Sequence, residues 1–381
     1  MTYTNKNAST LARHSSRIKS QIREFFDSQG FLEVDTPIMV KIPGMEPHLS
    51  IFETKLEIPS TYENQTPQAL YLNHSPELQM KKLLARTSED ATFGKIYNMA
   101  KVFRNGEFDS KTHNPEFTML EWYRYDSDYN EMMTDCENLI AHLTKNTTNT
   151  ASKAQLSPHF TQNTPQPENK NNSSHNLTPS THELVYQDQK IDLSHPFTRK
   201  TVNELFIEHT NIDLNENKTY KQLKEKAENL KLPINSCETW DDIFFTIFLN
   251  EIEPKLKAYT KPIFIYDYPS SQAALARKSH KDPFWAERFE LYIAGIEIAN
   301  AYSELIDEKE QRDRLIEEQN QRKNLKKSVF DIDEEFLNSL KSIRKPCSGI
   351  ALGVDRLIML LTDTKSIEDL LLFPITHILK K

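Results

Sequence analysis

The 381-residue sequence predicts a mixed α+β fold. Three stretches carry that expectation: residues 96–125, residues 286–304 and residues 346–361. The first two read as pairs of β-prone segments around a polar loop or a single glycine. The third reads as a strand and tight turn feeding an apolar helix.

Taken in order, residues 11–29 form a helix, because Ile18, Ile22, Phe25 and Phe26 fall at i, i+4, i+7 and i+8 and Gly30 is placed to cap it. Residues 31–34 are a short strand stopped by Pro37. SPELQMKKLLA, residues 75–85, opens a helix with Ser75 at the N-cap, Pro76 at N1 and Glu77 in the first turn. Residues 96–103 and 117–123 are strands joined by a loop of Gly, Asp, Ser and Asn. Period-2 geometry puts Phe117, Met119, Glu121 and Tyr123 on one face.

Residues 129–143 are helical. Residues 144–181 are Asn, Thr, Ser, Pro and Gln with almost no aliphatic side chain, too apolar-poor to offset ordering entropy, and are expected to form a disordered insertion. Strand-like alternation returns at 183–194, and helices follow at 202–209, 220–230 and 240–259. Residues 262–269, PIFIYDYP, form an apolar strand expected near the sheet centre, and 307–327 a charged helix.

Composition bounds the function. A net charge of −8 argues against a general nucleic-acid binder. Three cysteines without a CxxC pair point to a reducing compartment, with neither a disulfide framework nor a zinc site. With no apolar leader and no membrane-length run, the chain is expected to be cytoplasmic. Only seven glycines occur, and six fall in stretches singled out on other grounds.

Chemistry concentrates in the same three stretches. Arg104 ends the first strand of residues 96–125, and His113 and Asn114 precede the second. A charged fork, an aromatic plane and a carboxylate on one sheet face suit an anionic nucleotide beside a cationic group. An amphipathic hairpin with a wet face is the competing reading. Glu290, Glu297 and Glu304 recur every seven residues, which on a helix is a solvated stripe. The apolar alternation around Gly295 instead favours two strands that bring Glu290 and Glu297 onto one face. There they bind a divalent cation such as Mg²⁺, or simply form structural ion pairs. Gly349 and Gly353 precede Asp355 and Arg356, which fits a phosphate clamp or a packing turn with a surface Arg.

Together these stretches resemble the catalytic core of class II aminoacyl-tRNA synthetases, in the lysyl-tRNA synthetase branch. Residues 17–37 look like motif 1, FRN…HNPEFTMLEWY (103–123) like motif 2, and GIALGVDRL (349–357) like motif 3. SPELQMKKLL and FELYIAGIEIANAYSEL match the amino-acid pocket segments of that branch. The resemblance covers residues 11–376 except the Asn/Thr-rich insertion. It implies one domain with an antiparallel sheet flanked by helices, bent ATP bound on the sheet, and a homodimer through motif 1.

By resemblance, Arg104 contacts the α-phosphate, and Phe117 stacks adenine against Arg356 near the γ-phosphate. Asn105, His113, Asn114, Glu297, Ile298 and Gly353 complete the ATP site, and Glu290 and Glu297 hold Mg²⁺. Ser75, Pro76 and Glu77 receive the substrate's amino end. Glu121, Tyr123, Asn300 and Glu304 surround its distal ammonium. The reaction implied is formation of an aminoacyl-adenylate with release of pyrophosphate, then of AMP on transfer. The family's motif 2 usually reads FRNE. Here Arg104-Asn105-Gly106-Glu107 shifts the adenine-recognising carboxylate to Glu107.

About ten residues precede the motif 1 helix and the chain ends soon after motif 3, so no anticodon-binding domain and no tRNA partner are expected. That architecture resembles the stand-alone paralogues that join (R)-β-lysine to a lysine of elongation factor P. Ala351, where lysyl-tRNA synthetases usually have Gly, is expected to reshape the pocket toward a β-amino group. Two alternatives stay open: a free-standing lysine-adenylating or tRNA-acting enzyme, and an inactive regulatory paralogue. The second conflicts with the presence of Arg104, Arg356, Glu290 and Glu297.

Overall fold

The computed structural model describes residues 8–58, 68–108, 110–145 and 182–379. The strands are β1 (Leu32–Glu33), β2 (Met39–Val40), β3 (Glu53–Leu56), β4 (Gln68–Leu72), β5 (Lys95–Phe103), β6 (Glu116–Tyr125), β7 (Glu183–Tyr186), β8 (Gln189–Asp192), β9 (Thr198–Thr201), β10 (Ile263–Pro269), β11 (Trp285–Ile293), β12 (Ile296–Ser303) and β13 (Cys347–Gly353). The main helices are α1 (Ala8–Ser28), α2 (Glu77–Leu84), α3 (Tyr129–Lys145), α4 (Val202–Thr210), α5 (Tyr220–Asn229), α6 (Trp240–Ile247), α7 (Glu308–Asn324), α8 (Glu334–Leu340) and α9 (Val354–Leu361).

Eight strands form one sheet in the order β1-β5-β6-β13-β12-β11-β10-β9. Its six inner strands pair antiparallel, and β1 and β9 add parallel strands at the two edges. The expected α+β architecture, an antiparallel sheet flanked by helices, is the one observed.

Strand alternation divides the sheet into a packed face and an open face. Tyr97, Leu120, Trp122, Phe289, Leu291, Ile350 and Leu352 point to the packed face. They meet Ile18, Ile22, Phe25 and Phe26 of α1, Met132 to Leu143 of α3, and Leu357 and Ile358 of α9. The four α1 residues are those picked out by helical spacing, and each is buried. Burying a large apolar side chain contributes roughly 1.5–3 kcal/mol. This face anchors the sheet and leaves the other free for ligands.

Local signals explain most boundaries. α1 ends where Gly30 takes φ +74° and the Phe31 N–H closes on the Phe26 carbonyl at 3.0 Å. β11 and β12 turn through Ala294 and Gly295, both in the left-handed region (φ 52° and 77°), as a two-residue hairpin turn requires. α2 starts at Glu77 with Pro76, not Ser75, at the N-cap, one residue later than the sequence predicts; the Ser75 hydroxyl accepts the Glu77 N–H at 3.1 Å just before the helix. Residues 183–194 form the hairpin β7–β8, turning at Gln187 and Asp188 with positive φ.

Two further expectations change. The helix over 240–259 is interrupted: α6 stops at Ile247, a wider π turn spans Phe248–Ile252, and a short turn covers Glu253–Leu256. Pro254 explains this, because it lacks an N–H and its ring crowds the carbonyl four residues back. The apolar strand β10 is not central but seventh of eight. Its continuous hydrophobicity reflects burial on both faces. Phe264 joins the main core, whereas Ile263 and Ile265 pack into a second cluster with α4, α5 and α6. Apart from its first two residues at the end of α3, the insertion at 144–181 lies outside the described residues.

Candidate active site

The open face of the sheet is organised in rungs. One rung runs Asn98–Glu121–Ala351–Asn300–Glu290 across β5, β6, β13, β12 and β11. The next runs Ile96–Tyr123–Gly349–Tyr302–Arg288. Period-2 geometry thus brings onto one floor side chains that are up to 255 positions apart in the chain (Ile96 to Ala351).

Two connected chambers stand on this floor. The smaller, about 210 Å³, is lined by Arg104, Glu107, His113, Asn114, Phe117, Glu297, Ile298, Gly353 and Arg356. The larger, about 690 Å³, is lined by Ser75, Glu77, Glu121, Tyr123, Arg288, Tyr302 and Gly349. Arg104, Met119, Asn300 and Ala351 border both, so they mark the junction.

The smaller chamber sets two guanidinium groups, Arg104 and Arg356, among the carboxylates of Glu107, Glu297 and Asp355. The Arg104 guanidinium lies 5.4 Å from the Phe117 ring, and its buried Nε has no hydrogen-bond partner. An orphaned guanidinium N–H in a cavity favours an anionic oxygen. Arg356 donates to the Glu297 carbonyl at 2.9 Å and to Glu297 Oε2 at 3.3 Å. Arg356 also donates to His113 Nε2 at 2.8 Å, so the imidazole holds its proton on Nδ1, facing Ser110 Oγ at 2.5 Å. Burial, then the Arg356 charge, lowers the His113 pKa and favours this neutral form.

Three members of the expected ATP set sit differently from the rest. Asn114 lines the chamber, but its amide donates to the Glu116 carbonyl at 2.6 Å and accepts the Ile375 N–H at 3.2 Å. Its present role is to tie the loop to the C-terminal segment. Asn105 is exposed, bridges to Ser50 through its backbone and stands outside the chamber lining. Glu107 does reach the chamber, with Oε1 3.9 Å from Arg104, because the chain turns at Gly106 with φ +87°.

A β-bulge decides where Glu297 points. The β11–β12 register shifts between Leu291 and Tyr292, pairing Leu291 with Ala299 but Tyr292 with Glu297. The extra residue, Ile298, turns into the core, and Glu297 joins Glu290 on the open face. Burial raises the Glu290 pKa; Arg288 opposes this and the Glu297 charge adds to it. Glu290 Oε1 accepts from Arg288 at 2.6 Å, and Oε2 accepts from Tyr268 at 2.6 Å and Tyr292 at 2.9 Å. A carboxylate offers about four lone-pair sites, so one on Oε1 remains for a ligand. Among the described residues, no group of three or more His, Cys, Asp or Glu side chains could hold a metal unaided. Glu290 and Glu297 offer at most two carboxylates, so phosphate and water would have to complete any Mg²⁺ coordination there.

The larger chamber is anionic and deeply buried at its base. Glu121 is 0% exposed and accepts from Ser75 Oγ at 2.6 Å and from Tyr123 Oη at 2.8 Å. Glu77 Oε1 accepts from Lys81 Nζ at 2.6 Å and from the Tyr302 hydroxyl. Glu304 is 2% exposed and 2.5 Å from Lys81 Nζ, but neither of its oxygens receives a directed hydrogen bond. Burial, with the Glu77 charge, pushes Glu121 up to about 8. Burial pushes Glu304 up to about 8 although Lys81 opposes it. Two buried carboxyl groups that resist ionisation, one of them (Glu304) without a directed hydrogen bond, favour a cation.

The expected amino-acid residues Ser75, Glu77, Glu121, Tyr123, Asn300 and Ala351 thus line one chamber, Glu304 is buried beside Gly349 outside that lining, and Pro76 is the N-cap of α2. Lys81, Arg288 and Tyr302 were missed. Lys81 follows Glu77 by one helical turn and Tyr302 alternates with Asn300 and Glu304, so both had a weak periodic signal.

This sheet, with a chamber carrying two arginines joined to an anionic one, defines a class. Residues 1–377 match the family described as tRNA synthetases class II (D, K and N), and the chain belongs to that family. It is 37% identical over 96% of its length to the elongation factor P–(R)-β-lysine ligase of Hamiltonella defensa, covering 95% of that protein. It is 34% identical over 94% of its length to the lysine–tRNA ligase of Carboxydothermus hydrogenoformans, covering 64% of it. The lysine–tRNA ligase of Magnetococcus marinus is similar at 33% identity, with 97% of this chain and 64% of that protein covered. The chain thus spans less than two thirds of these lysine–tRNA ligases. Among the described residues, no helix is long and apolar enough to cross a membrane.

Proposed function

We propose that this protein is an ATP-dependent ligase that activates (R)-β-lysine and transfers it to a lysine of elongation factor P. The observation that carries a lysine-type substrate is the fully buried Glu121 lining the larger chamber, with Glu304 beside it, 2% exposed and with neither oxygen receiving a directed hydrogen bond. A distal ammonium supplies the missing charge and N–H groups. The acceptor is supported by the Hamiltonella relative, an elongation factor P–(R)-β-lysine ligase.

In the first step a substrate carboxylate oxygen attacks the α-phosphorus of ATP, the bond to the β-phosphate oxygen breaks, and pyrophosphate leaves. Arg104 neutralises charge on the α-phosphate, and Arg356, held by Glu297 and His113, faces the outer phosphates. Phe117 offers the adenine a stacking plane. Mg²⁺, when bound, supplies charge neutralisation on the phosphates, held by Glu290 and Glu297. In the second step the acceptor ε-amine attacks the acyl carbon, AMP departs and the nitrogen loses a proton, leaving an amide. No protein nucleophile is needed; the chain's contribution is position and charge. The reading places the enzyme in the cytoplasm, as a homodimer through the motif 1 region, where Ile38 and Met39 are exposed.

Mass measurement of elongation factor P after incubation with ATP, Mg²⁺, (R)-β-lysine and this protein tests the reading. One β-lysyl group added to one lysine is expected. An unmodified factor, with tRNA charged by α-lysine in parallel, would favour the lysine–tRNA ligase reading, which the other relatives keep open.

A further inference from the structure

Lys81 is the largest charged group at the site to which no role has been given. It is 1% exposed, with Nζ 2.6 Å from Glu77 Oε1 and 2.5 Å from Glu304 Oε2. The Tyr302 hydroxyl donates to the same Glu77 oxygen, and the Tyr302 ring lies 5.3 Å from Nζ. Phe336 of α8 closes the other side at 6.0 Å. One buried ammonium therefore joins a carboxylate from α2 to a carboxylate just past β12. Under the amino-acid reading of this chamber, those two carboxylates serve opposite ends of the substrate.

We infer that Lys81 is a positioning residue that sets the charge of the amino-acid chamber and so fits it to a substrate carrying two ammonium groups. Around Lys81, Glu77, Glu121 and Glu304 bring three carboxyl groups and Lys81 offsets one, leaving two whose ionised forms the ligand's ammonium groups can stabilise; Arg288, which also lines the chamber, is held by Glu290. A second internal cation would leave room for a monoamino acid only. With no internal cation, a third carboxylate is left to be neutralised by a proton. The inference rests on the proposed function for the ligand's identity, and on the Glu77–Lys81–Glu304 geometry for the mechanism.

A purely structural bridge between α2 and β12 is the competing role, and pH separates the two. Glu77, Glu121, Glu304, Tyr123, Tyr302 and Cys347 are the titratable groups around Lys81. Burial lowers the Lys81 pKa, but Glu304 and Glu77 more than reverse this, so the net shift is upward and the ammonium stays charged. Lys81 in turn opposes the rise of Glu304 and of Glu121. Losing the cation makes both carboxyl groups harder to ionise.

The test is ATP–pyrophosphate exchange with (R)-β-lysine between pH 6 and 9, using the full chain with Lys81, Lys81→Gln or Lys81→Arg. In Lys81→Gln, the midpoint of the KM–pH curve is expected to move upward. KM at pH 7 should rise about tenfold per unit of that movement, with kcat nearly unchanged and the gap closing by pH 9. Lys81→Arg should return the midpoint to its wild-type position. Coincident midpoints in all three proteins, with only a lower melting temperature for Lys81→Gln, would overturn the inference. If Lys81→Gln does not fold, Lys81→Met/Glu77→Gln carries the test, since one cation and one anion leave together. Its KM is expected to rise at every pH, because Glu77 faces the substrate, while its midpoint stays at the wild-type pH; an upward shift of the midpoint there would also overturn the inference. Wild-type protein that activates no lysine-type amino acid would instead sink the proposed function.

Discussion

Gly349 lies directly beneath the carboxylate of Glu304: a methyl group on its Cα would collide with Glu304 Oε1 and with the Tyr123 ring. Both neighbours are buried and held from other directions, so neither can yield cheaply. Gly349→Ala is therefore expected to raise KM for the amino acid by more than about tenfold, from overpacking of about 1–3 kcal/mol. KM for ATP should change little, because Gly349 does not line the smaller chamber. Equal losses for both substrates in steady-state kinetics would contradict this placement.

Arg104 offers a buried, unpaired Nε to the smaller chamber. Arg104→Ala is expected to lower kcat for ATP–pyrophosphate exchange by about 10²–10³, the usual effect of losing one preorganised donor to a transition-state oxyanion. The melting temperature should hold, since no partner loses a directed bond to that Nε. A fall in kcat of less than about fivefold would remove Arg104 from the reaction.

The carboxyl groups of Glu121 and Glu304 give a signed pH effect. Both rise from an ordinary value of 4.5 to about 8, burial being the first cause. Between these values the folded chain holds more protons than the unfolded one, so their contribution to stability is full below about 4.5 and is lost as pH climbs through about 8. A bound ammonium reverses the trend by stabilising the ionised forms. Melting temperature without ligand should fall from pH 6 to 9, and (R)-β-lysine should stabilise most at the upper end, with proton release visible by calorimetry in buffers of different ionisation heat. A stabilisation by ligand that is constant with pH would refute the assignment.

Glu290 keeps one lone-pair site after binding Arg288, Tyr268 and Tyr292. Glu290→Gln is expected to increase the Mg²⁺ concentration giving half-maximal exchange by tenfold or more, and a chelator should stop exchange in the wild type. An unchanged Mg²⁺ dependence would reassign Glu290 to a structural role with Arg288.

Ala351 sits between Glu121 and Asn300 on its rung and borders both chambers. Removing its methyl group enlarges the junction where the substrate's amino and carboxylate ends meet. Ala351→Gly should shift the kcat/KM ratio toward α-lysine and away from (R)-β-lysine, by the roughly 10–200-fold that one methylene-sized change permits. A ratio that stays fixed would show that the methyl group does not select.

Much of this molecule was legible in local sequence. The buried stripe of α1, the β5–β6 hairpin, the alternation that aims Phe117, Met119, Glu121 and Tyr123 to one side, and the turn at Ala294–Gly295 all follow from periodicity and backbone preference. The motif resemblance added the roles proposed for Arg104, Arg356, Glu290 and Glu297. What local sequence could not decide was how distant segments align. The bulge at Ile298 that re-aims Glu297, the off-centre place of β10, and the meeting of Ser75 with Glu121 depend on strand register and helix docking. So does the electrostatics: Lys81 reads as one more helical lysine until the fold buries it between Glu77 and Glu304. Periodicity is a property of neighbours along the chain. Charge balance is a property of neighbours in space, and only the packed sheet brings those together.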